Sequence, residues 1–344
     1  MSEQEGILAT REMVLERIRE DSSFVLATHE NPDGDALGSL VGMQGLLSAL
    51  GKDSVMFIAP EDLPLPEEYS LVGLVGLIQS PPADVGERTV VFLDCGNIDR
   101  NSASVLRDGR HLLNIDHHHD NTNFGTLNYV VPAACCTAEI IWDLMNGLGV
   151  RPTPNVAQAL YVGLITDTGR FMYENTGPRA HLMAADLIEA GVEVPAVYRR
   201  LYENLQPAKL ALLATALTNV QRFDSGALTI SVLSAEDFER AGAEESYSEG
   251  IIDHLRAVQG TKVAALVREL GGGERKGQHK VSLRATDEAV DVSAIARAQG
   301  GGGHRRAAGF TTALELDGLI AFLRGAIAGQ LHATSDGHAA ATLA

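Results

Sequence analysis

Short apolar runs alternate with stretches of helical periodicity along most of this chain, and that rhythm leaves few folds open. Residues 24–28, 54–58, 89–94 and 111–116 are such runs, each as long as a buried strand. Between the first two, Leu37, Leu40, Met43, Leu47 and Leu50 mark one helical face. Alternation of this kind predicts an α/β architecture, a mostly parallel sheet flanked by helices. Helical patterns follow over 138–146, 155–165 and 178–190 and continue to about Gln221. The strand pattern then restarts at 227–233, 262–268 and 280–284, with helices over 248–258 and 292–298. The expected organisation is a larger N-terminal domain over 1–190, a helical connector over 191–215 and a smaller C-terminal α/β domain over 216–331. The segment 271–277 reads as a hairpin connection without function, and the small, polar tail 332–344 is expected to fray.

Size and charge agree with that division. At 344 residues the chain exceeds what one core usually fills, and 45% hydrophobic content is ample for two. The 27 basic against 45 acidic residues give a net charge of −18, which argues against tracking along a long polyanion. A small anion held by a few local cations remains compatible. Cys95, Cys135 and Cys136 lack the paired spacing of a zinc site and read as reduced core thiols. The N-terminus has no signal-peptide pattern and no run approaches eighteen apolar residues, so the expectation is a cytoplasmic protein without a membrane segment.

After the first apolar run comes Thr28-His29-Glu30-Asn31-Pro32-Asp33-Gly34-Asp35, and the fourth ends in Asp116-His117-His118-His119. His29, Asp33 and Asp35 place one imidazole and two carboxylates at a strand end, donors that suit hard to borderline divalent cations. Asp94, closing Val90-Val91-Phe92-Leu93, and Asp167, in Leu164-Ile165-Thr166-Asp167, are read as two further strand-end aspartates. Either alone is more often a helix cap or a loop residue. Together, His29, Asp33, Asp35, Asp94, His117 and Asp167 are too many ligands for one cation that must keep positions open for water and substrate. They suit two cations sharing a bridging group, the arrangement that hydrolyses phosphoesters. Strand C-termini are also where open α/β sheets bind their ligands.

In these residues the chain resembles the DHH family of phosphoesterases. The resembled branch comprises oligoribonucleases, or nanoRNases, that also act as 3′-phosphoadenosine 5′-phosphate phosphatases. The resemblance spans nearly the whole length. It rests on His29, Asp33 and Asp35 in a first motif, Asp94 in a second, Asp116-His117-His118 in a third and Asp167 in a fourth. Val281-Ser282-Leu283-Arg284 and the run from Gly300 through His304, Arg305 and Arg306 to Gly309 are similar to the DHH-associated substrate domain. Cys135-Cys136 before Thr137-Ala138-Glu139 departs from the serines common in relatives, an exchange between small residues.

The resemblance implies that His29, Asp33 and Asp94 hold one metal and Asp35, Asp94, His117 and Asp167 the other, so that Asp94 bridges. Asp116 would orient an imidazole from behind the ligands. His118 would then serve as proton donor or phosphate ligand, while His119 could equally be a solvated loop residue. Four aspartates and two divalent cations cancel, so an entering phosphate needs other cations. Arg284, His304, Arg305 and Arg306 are the candidates, and Gly302 and Gly303 allow backbone N–H groups to approach an anion. The expected C-terminal domain grips substrate across a cleft from the metals.

Manganese is the metal expected from an oxygen-rich set with two imidazoles, with magnesium and cobalt as alternatives. Short oligonucleotides or nucleoside bisphosphates are the expected substrates, and a homodimer is one expected assembly. Rival readings keep the chemistry and change the substrate: cyclic or linear dinucleotides such as c-di-AMP, inorganic pyrophosphate, or single-stranded DNA. The His304 segment disfavours pyrophosphate, and acidity with only 5% aromatic residues disfavours an exonuclease groove. A non-catalytic nucleotide-binding regulator is the rival of another class, and six intact ligand positions stand against it.

Overall fold

The computed structural model describes residues 6–203, 206–271 and 277–341, with side chains as far as His332. The centre of the expected 271–277 connection therefore lies outside the described residues. The chain divides into two compact units, Met1–Asn204 and Leu205–Ala344, a division that falls within the 191–215 segment.

Six parallel strands form the sheet of the first unit: β1 (Ile7–Leu8), β2 (Ser23–Ala27), β3 (Asp53–Met56), β4 (Thr89–Leu93), β5 (His111–Asp116) and β6 (Leu127–Val130). Their order is β1-β6-β5-β4-β2-β3. All five residues of β4 are buried, which is why the central strands read as continuous apolar runs rather than as alternation. β1 and β6 escaped the sequence pattern because one is two residues long and the other interrupts its apolar positions with the buried Asn128.

Helices α1 (Arg11–Glu20), α2 (Gly34–Ala49), α3 (Thr137–Gly147), α4 (Pro154–Asp167), α5 (Pro178–Glu189) and α6 (Val194–Tyr202) complete the unit. Val14, Leu37, Leu40, Ile141, Leu160, Met183 and Val197 from these helices share one core with Leu26, Leu93 and Ile115 of the sheet. On the opposite face Val25, Val90 and Phe92 pack against Phe57, Val85 and Leu106 from connecting segments.

The α2–α4 contact decides where the functional groups meet. Gly34, Gly38 and Gly42 recur every fourth residue along α2. A Cβ at Gly38 would stand 2.4 Å from the Ala159 carbonyl oxygen, and one at Gly34 2.5 Å from Thr166 Oγ1. From the other helix, a Cβ at Gly163 would stand 2.8 Å from Asp35 Oδ1. The two helices touch backbone to backbone at Gly38 and pack tightly at Gly34 and Gly163, bringing the N-terminus of α2 beside the C-terminus of α4. Asp167 is the last residue of α4, which corrects its reading as a strand-end aspartate. The helical pattern over 155–165 stops two residues short of it, while the helix itself runs on.

The second unit holds α7 (Pro207–Thr218), α8 (Ala235–Ala241), α9 (Ile251–Arg256), α10 (Val292–Arg297) and α11 (Leu316–Ala341). Its strands are β7 (Gln221–Phe223), β8 (Leu228–Leu233), β9 (Val263–Glu269), β10 (His279–Ala285), β11 (Gly302–His304) and β12 (Ala307–Thr312), in the order β11-β12-β10-β9-β8-β7. Only β8 and β9 pair in parallel. Ile230, Val267, Leu283 and Phe310 from the sheet bury against Ile295 of α10 and Leu319 and Leu323 of α11. The glycine run before His304 is an edge strand in a hairpin, a shape that glycine's low strand propensity hid. Helix α11 runs to Ala341, into the segment from 332 that was expected to fray. Among the described residues no helix is long and apolar enough to cross a membrane.

Candidate metal centre

Beyond the C-terminal ends of β2, β4 and β5, the first unit gathers eight of the side chains singled out in its sequence. His29 Nδ1 lies 2.7 Å from the Glu30 carbonyl oxygen, which fixes the ring and leaves Nε2 turned inward, 3.7 Å from Asp94 Oδ2. Asp33 caps α2, its Oδ1 accepting from the backbone N–H of Asp35 at 3.0 Å and of Ala36 at 3.1 Å. Asp94 leaves β4 in a left-handed conformation, φ 55°, uncommon outside glycine. That turn sets its Oδ1 3.6 Å from His117 Nε2 and 3.6 Å from His118 Nδ1. His117 Nε2 is also 3.5 Å from Asp167 Oδ2.

Behind this layer His118 Nδ1 sits 2.7 Å from Asp116 Oδ1, and Asn121 donates to the other Asp116 oxygen. Asp35 is buried against the N-terminus of α3, accepting from Thr137 N at 2.6 Å and Ala138 N at 2.9 Å. The N-cap of that helix, Cys136, makes no side-chain cap bond, so Asp35 caps α3 from a different helix. Thr137 Oγ1 donates to Asp94 Oδ1 at 3.0 Å, which makes Thr137 a contact of two of the carboxylates at once. Sequence reasoning passed over Thr137 as part of a small-residue substitution. Its signal was there, a threonine at the start of a helix pattern.

Within this unit, three groups bring one donor atom per residue to within 4.8 Å of one another: His29, Asp33 and Asp94; Asp35, Asp94 and His117; Asp94, Asp116 and His118. Asp94 belongs to all three. His119 is exposed beside them.

Crowding of like charge governs the electrostatics. Burial, and then the charges of Asp94 and Asp167, push the Asp35 carboxyl well above its ordinary range. Asp167 is pushed up by burial and by Asp94 and Asp33, and a helix C-terminus adds no relief. Asp94 takes the opposite course. Burial would raise it, but the His29 hydrogen bond and the His118 and His117 charges outweigh burial and hold it far below the carboxylate range. His118 would be lowered by burial, yet its bond to Asp116 and the nearby carboxylates push it up to about 10.

Strand register places the remaining candidates on the second unit. Arg284 on β10 and His304 on β11 both stand opposite Ala307 of the intervening β12, so the two side chains share a face with only a methyl group between them. Gly309 opposite Gly302 and Ser282 continues that row of small residues. A Cβ on Gly303, φ 128°, would stand 2.6 Å from the Ala307 carbonyl oxygen, so this position requires glycine. Arg284 Nε is buried and has no hydrogen-bond partner among the described residues. Arg305, in the turn between the strands, donates instead to the Glu288 carbonyl at 2.8 Å.

Residues 23–164 match the DHH family N-terminal domain, and residues 226–329 match the DHHA1 domain. The chain is 36% identical over 302 residues to the bifunctional oligoribonuclease and PAP phosphatase NrnA of Thermus thermophilus, covering 86% of each protein. The chain belongs to the DHH family. A probable bifunctional oligoribonuclease and PAP phosphatase NrnA from Streptococcus mutans is 26% identical over 297 residues, 86% of this chain and 91% of its own. Among solved structures, an exopolyphosphatase-related protein from Bacteroides fragilis superimposes with a TM-score of 0.82 at 20% identity, over 93% of this chain and 95% of that one. This DHH protein is therefore a phosphoesterase.

Proposed function

We propose that this phosphoesterase degrades short oligoribonucleotides to mononucleotides and removes the 3′-phosphate of 3′-phosphoadenosine 5′-phosphate, in the cytoplasm, with two divalent cations held by its first unit. The observation that carries the reading is the shared position of Asp94 in neighbouring ligand groups. His29, Asp33 and Asp94 would hold one cation, and Asp35, Asp94, His117 and Asp167 the other. The donors fit such a pair, because crowded carboxylates that repel one another as Asp35, Asp94 and Asp167 do gain most from divalent positive charge. An oxygen-rich set with two imidazoles suits manganese, with magnesium or cobalt next.

Bound there, the cations would neutralise phosphoryl oxygens and make water acidic enough to attack at neutral pH. The chain's own groups do the rest. Asp116 holds His118 through Nδ1, so His118 presents its other nitrogen as a proton donor to the leaving oxygen. Arg284 and His304, with the backbone N–H groups of Gly302 and Gly303, receive a substrate phosphate on the second unit. The two activities in the name of the 36%-identical relative support the substrates, and the three buried free cysteines suit a reducing compartment.

A net charge of −18 and few aromatic side chains leave little surface to reward a longer strand. On an RNA series, kcat/KM is expected to be highest for two to four nucleotides and to fall steadily to well beyond ten, with 3′-phosphoadenosine 5′-phosphate also turned over. Equal or rising efficiency on long strands would overturn the reading in favour of a processive exonuclease. Exclusive turnover of c-di-AMP or its linear form would move it to a dinucleotide phosphodiesterase.

Arg284→Ala and His304→Ala should each raise KM about tenfold or more while both cations stay bound, since these groups grip substrate rather than metal. Elemental analysis that found a missing ion in either variant would reassign the residue.

A further inference from the structure

The cations proposed so far for the substrate phosphate lie on the second unit, yet the metal-bearing unit has one of its own. Arg100 closes a short turn, Ile98–Arg100, just after Asp94. That turn is stapled to the His29 loop by two bonds: Glu30 N donates to the Arg100 carbonyl at 2.6 Å, and Asn101 Nδ2 donates to the Thr28 carbonyl at 2.7 Å. The Asn97 side chain caps the turn, its Oδ1 accepting from Asp99 N at 3.0 Å. Arg100 is half-buried, and its positive charge acts on both buried His29 and buried Cys95, lowering each against its other neighbours.

Six other arginines of the unit are neutralised, and the remaining five, Arg19, Arg110, Arg151, Arg170 and Arg199, are exposed. Arg11, Arg17, Arg88, Arg107, Arg179 and Arg200 each pair with a carboxylate. The acid next to Arg100, Asp99, is taken by Arg107 at 2.7 Å. Among the described residues Arg100 has no ion pair. A half-buried guanidinium kept without a counterion beside an acidic cluster is costly unless an anion arrives to meet it. The four ligand aspartates do not supply one, since two divalent cations would cancel their charge.

We propose that Arg100 is a substrate ligand, its guanidinium receiving a non-bridging oxygen of the phosphoryl group that enters beside His29 and Asp94. The assignment rests on the phosphoesterase chemistry proposed above and adds to it a catalytic residue supplied by the metal-bearing unit itself. Arginine suits the task because its planar fork meets two phosphate oxygens together, where lysine offers a point charge.

Arg100→Gln and Arg100→Lys test this in the full-length protein. Both should keep two cations by elemental analysis and melt within a few degrees of the parent, because the backbone bonds to Glu30 and Thr28 remain. Arg100→Gln should lower kcat/KM by about 10- to 100-fold and weaken calorimetric binding of inorganic phosphate to the metal-loaded protein about tenfold, with Arg100→Lys intermediate. Unchanged phosphate binding in Arg100→Gln, or loss of a cation in both variants, would overturn the assignment and make Arg100 a structural residue. Phosphate binding to the metal-loaded protein is read without any nucleotide. A failure of the oligoribonucleotide reading, seen as no turnover by the parent chain, is thereby distinguished from a failure of this one.

Discussion

Asp94→Asn should lower turnover by about three orders of magnitude or more while leaving a folded protein, the largest single-residue effect expected in this molecule. Asparagine keeps the shape and tolerates the left-handed conformation that Asp94 adopts at φ 55°, so the backbone turn survives the exchange. What changes is charge. Asp94 is held ionised against burial by His29, His118 and His117, and it raises the carboxyls of Asp35 and Asp167. Losing it removes a ligand from both proposed cation sites and relieves repulsion among the acids that stay. Calorimetric titration with manganese should therefore find one weak ion or none. The metal-free variant should melt no lower than the metal-free parent. Near-normal turnover with two ions still bound would refute the bridging role.

Stripping the metals should make stability strongly dependent on pH. Asp35 and Asp167 have folded values well above those of exposed aspartate, so the stability they contribute is present at low pH and is lost as pH rises through the folded values. His118, raised to about 10, contributes fully below the ordinary histidine value and loses that contribution as pH climbs toward 10. His29 is raised as well and has the same sign. Asp94 and Asp116 are lowered, so their contribution is lost only in acid, below the ordinary aspartate range. From pH 5 to 8 the raised groups act together, and the melting temperature of chelated protein should fall across that window. Adding manganese at pH 8 should raise it by many degrees and flatten the profile, because bound cations replace the protons. A chelated protein as stable at pH 8 as at pH 5 would mean that these carboxylates do not face one another as described.

Much of the centre was legible because its ligands are chemically conspicuous and end apolar runs. His29, Asp33, Asp35, Asp94, Asp116, His117 and His118 could be picked out from residue type and position, and a strand ending in Asp94 or Asp116 is half of the geometry. Asp167 was legible as a candidate, but the helical pattern over 155–165 stopped two residues short of it, and it was set at a strand end instead of at the end of α4. Thr137 and the cap it builds over Asp35 were hidden because a backbone N–H carries no sequence signature and its partner is 102 residues away. Arg100 was hidden for another reason. Charged residues in turns are common, and only its partial burial without a carboxylate partner sets this one apart. In the second unit the core strands were found from their apolar runs. The β11–β12 hairpin was missed because Gly, His and Arg at an edge carry almost no strand preference.

The glycine seam between α2 and α4 gives the centre a dimension that no side chain can retune. Most cores absorb a changed residue by letting neighbours adopt other rotamers, so their internal spacings drift as sequences diverge. Here the spacer is one main chain resting on another, and the groups it separates are Asp35 and Asp167. A methyl group added at Gly38 would have the Ala159 carbonyl at 2.4 Å and no rotamer to escape into. The seam behaves as a gauge block. Divergence is free to rewrite loops, surfaces and the choice of substrate, while the span across which the two proposed cations would fit is set by the van der Waals thickness of the peptide backbone.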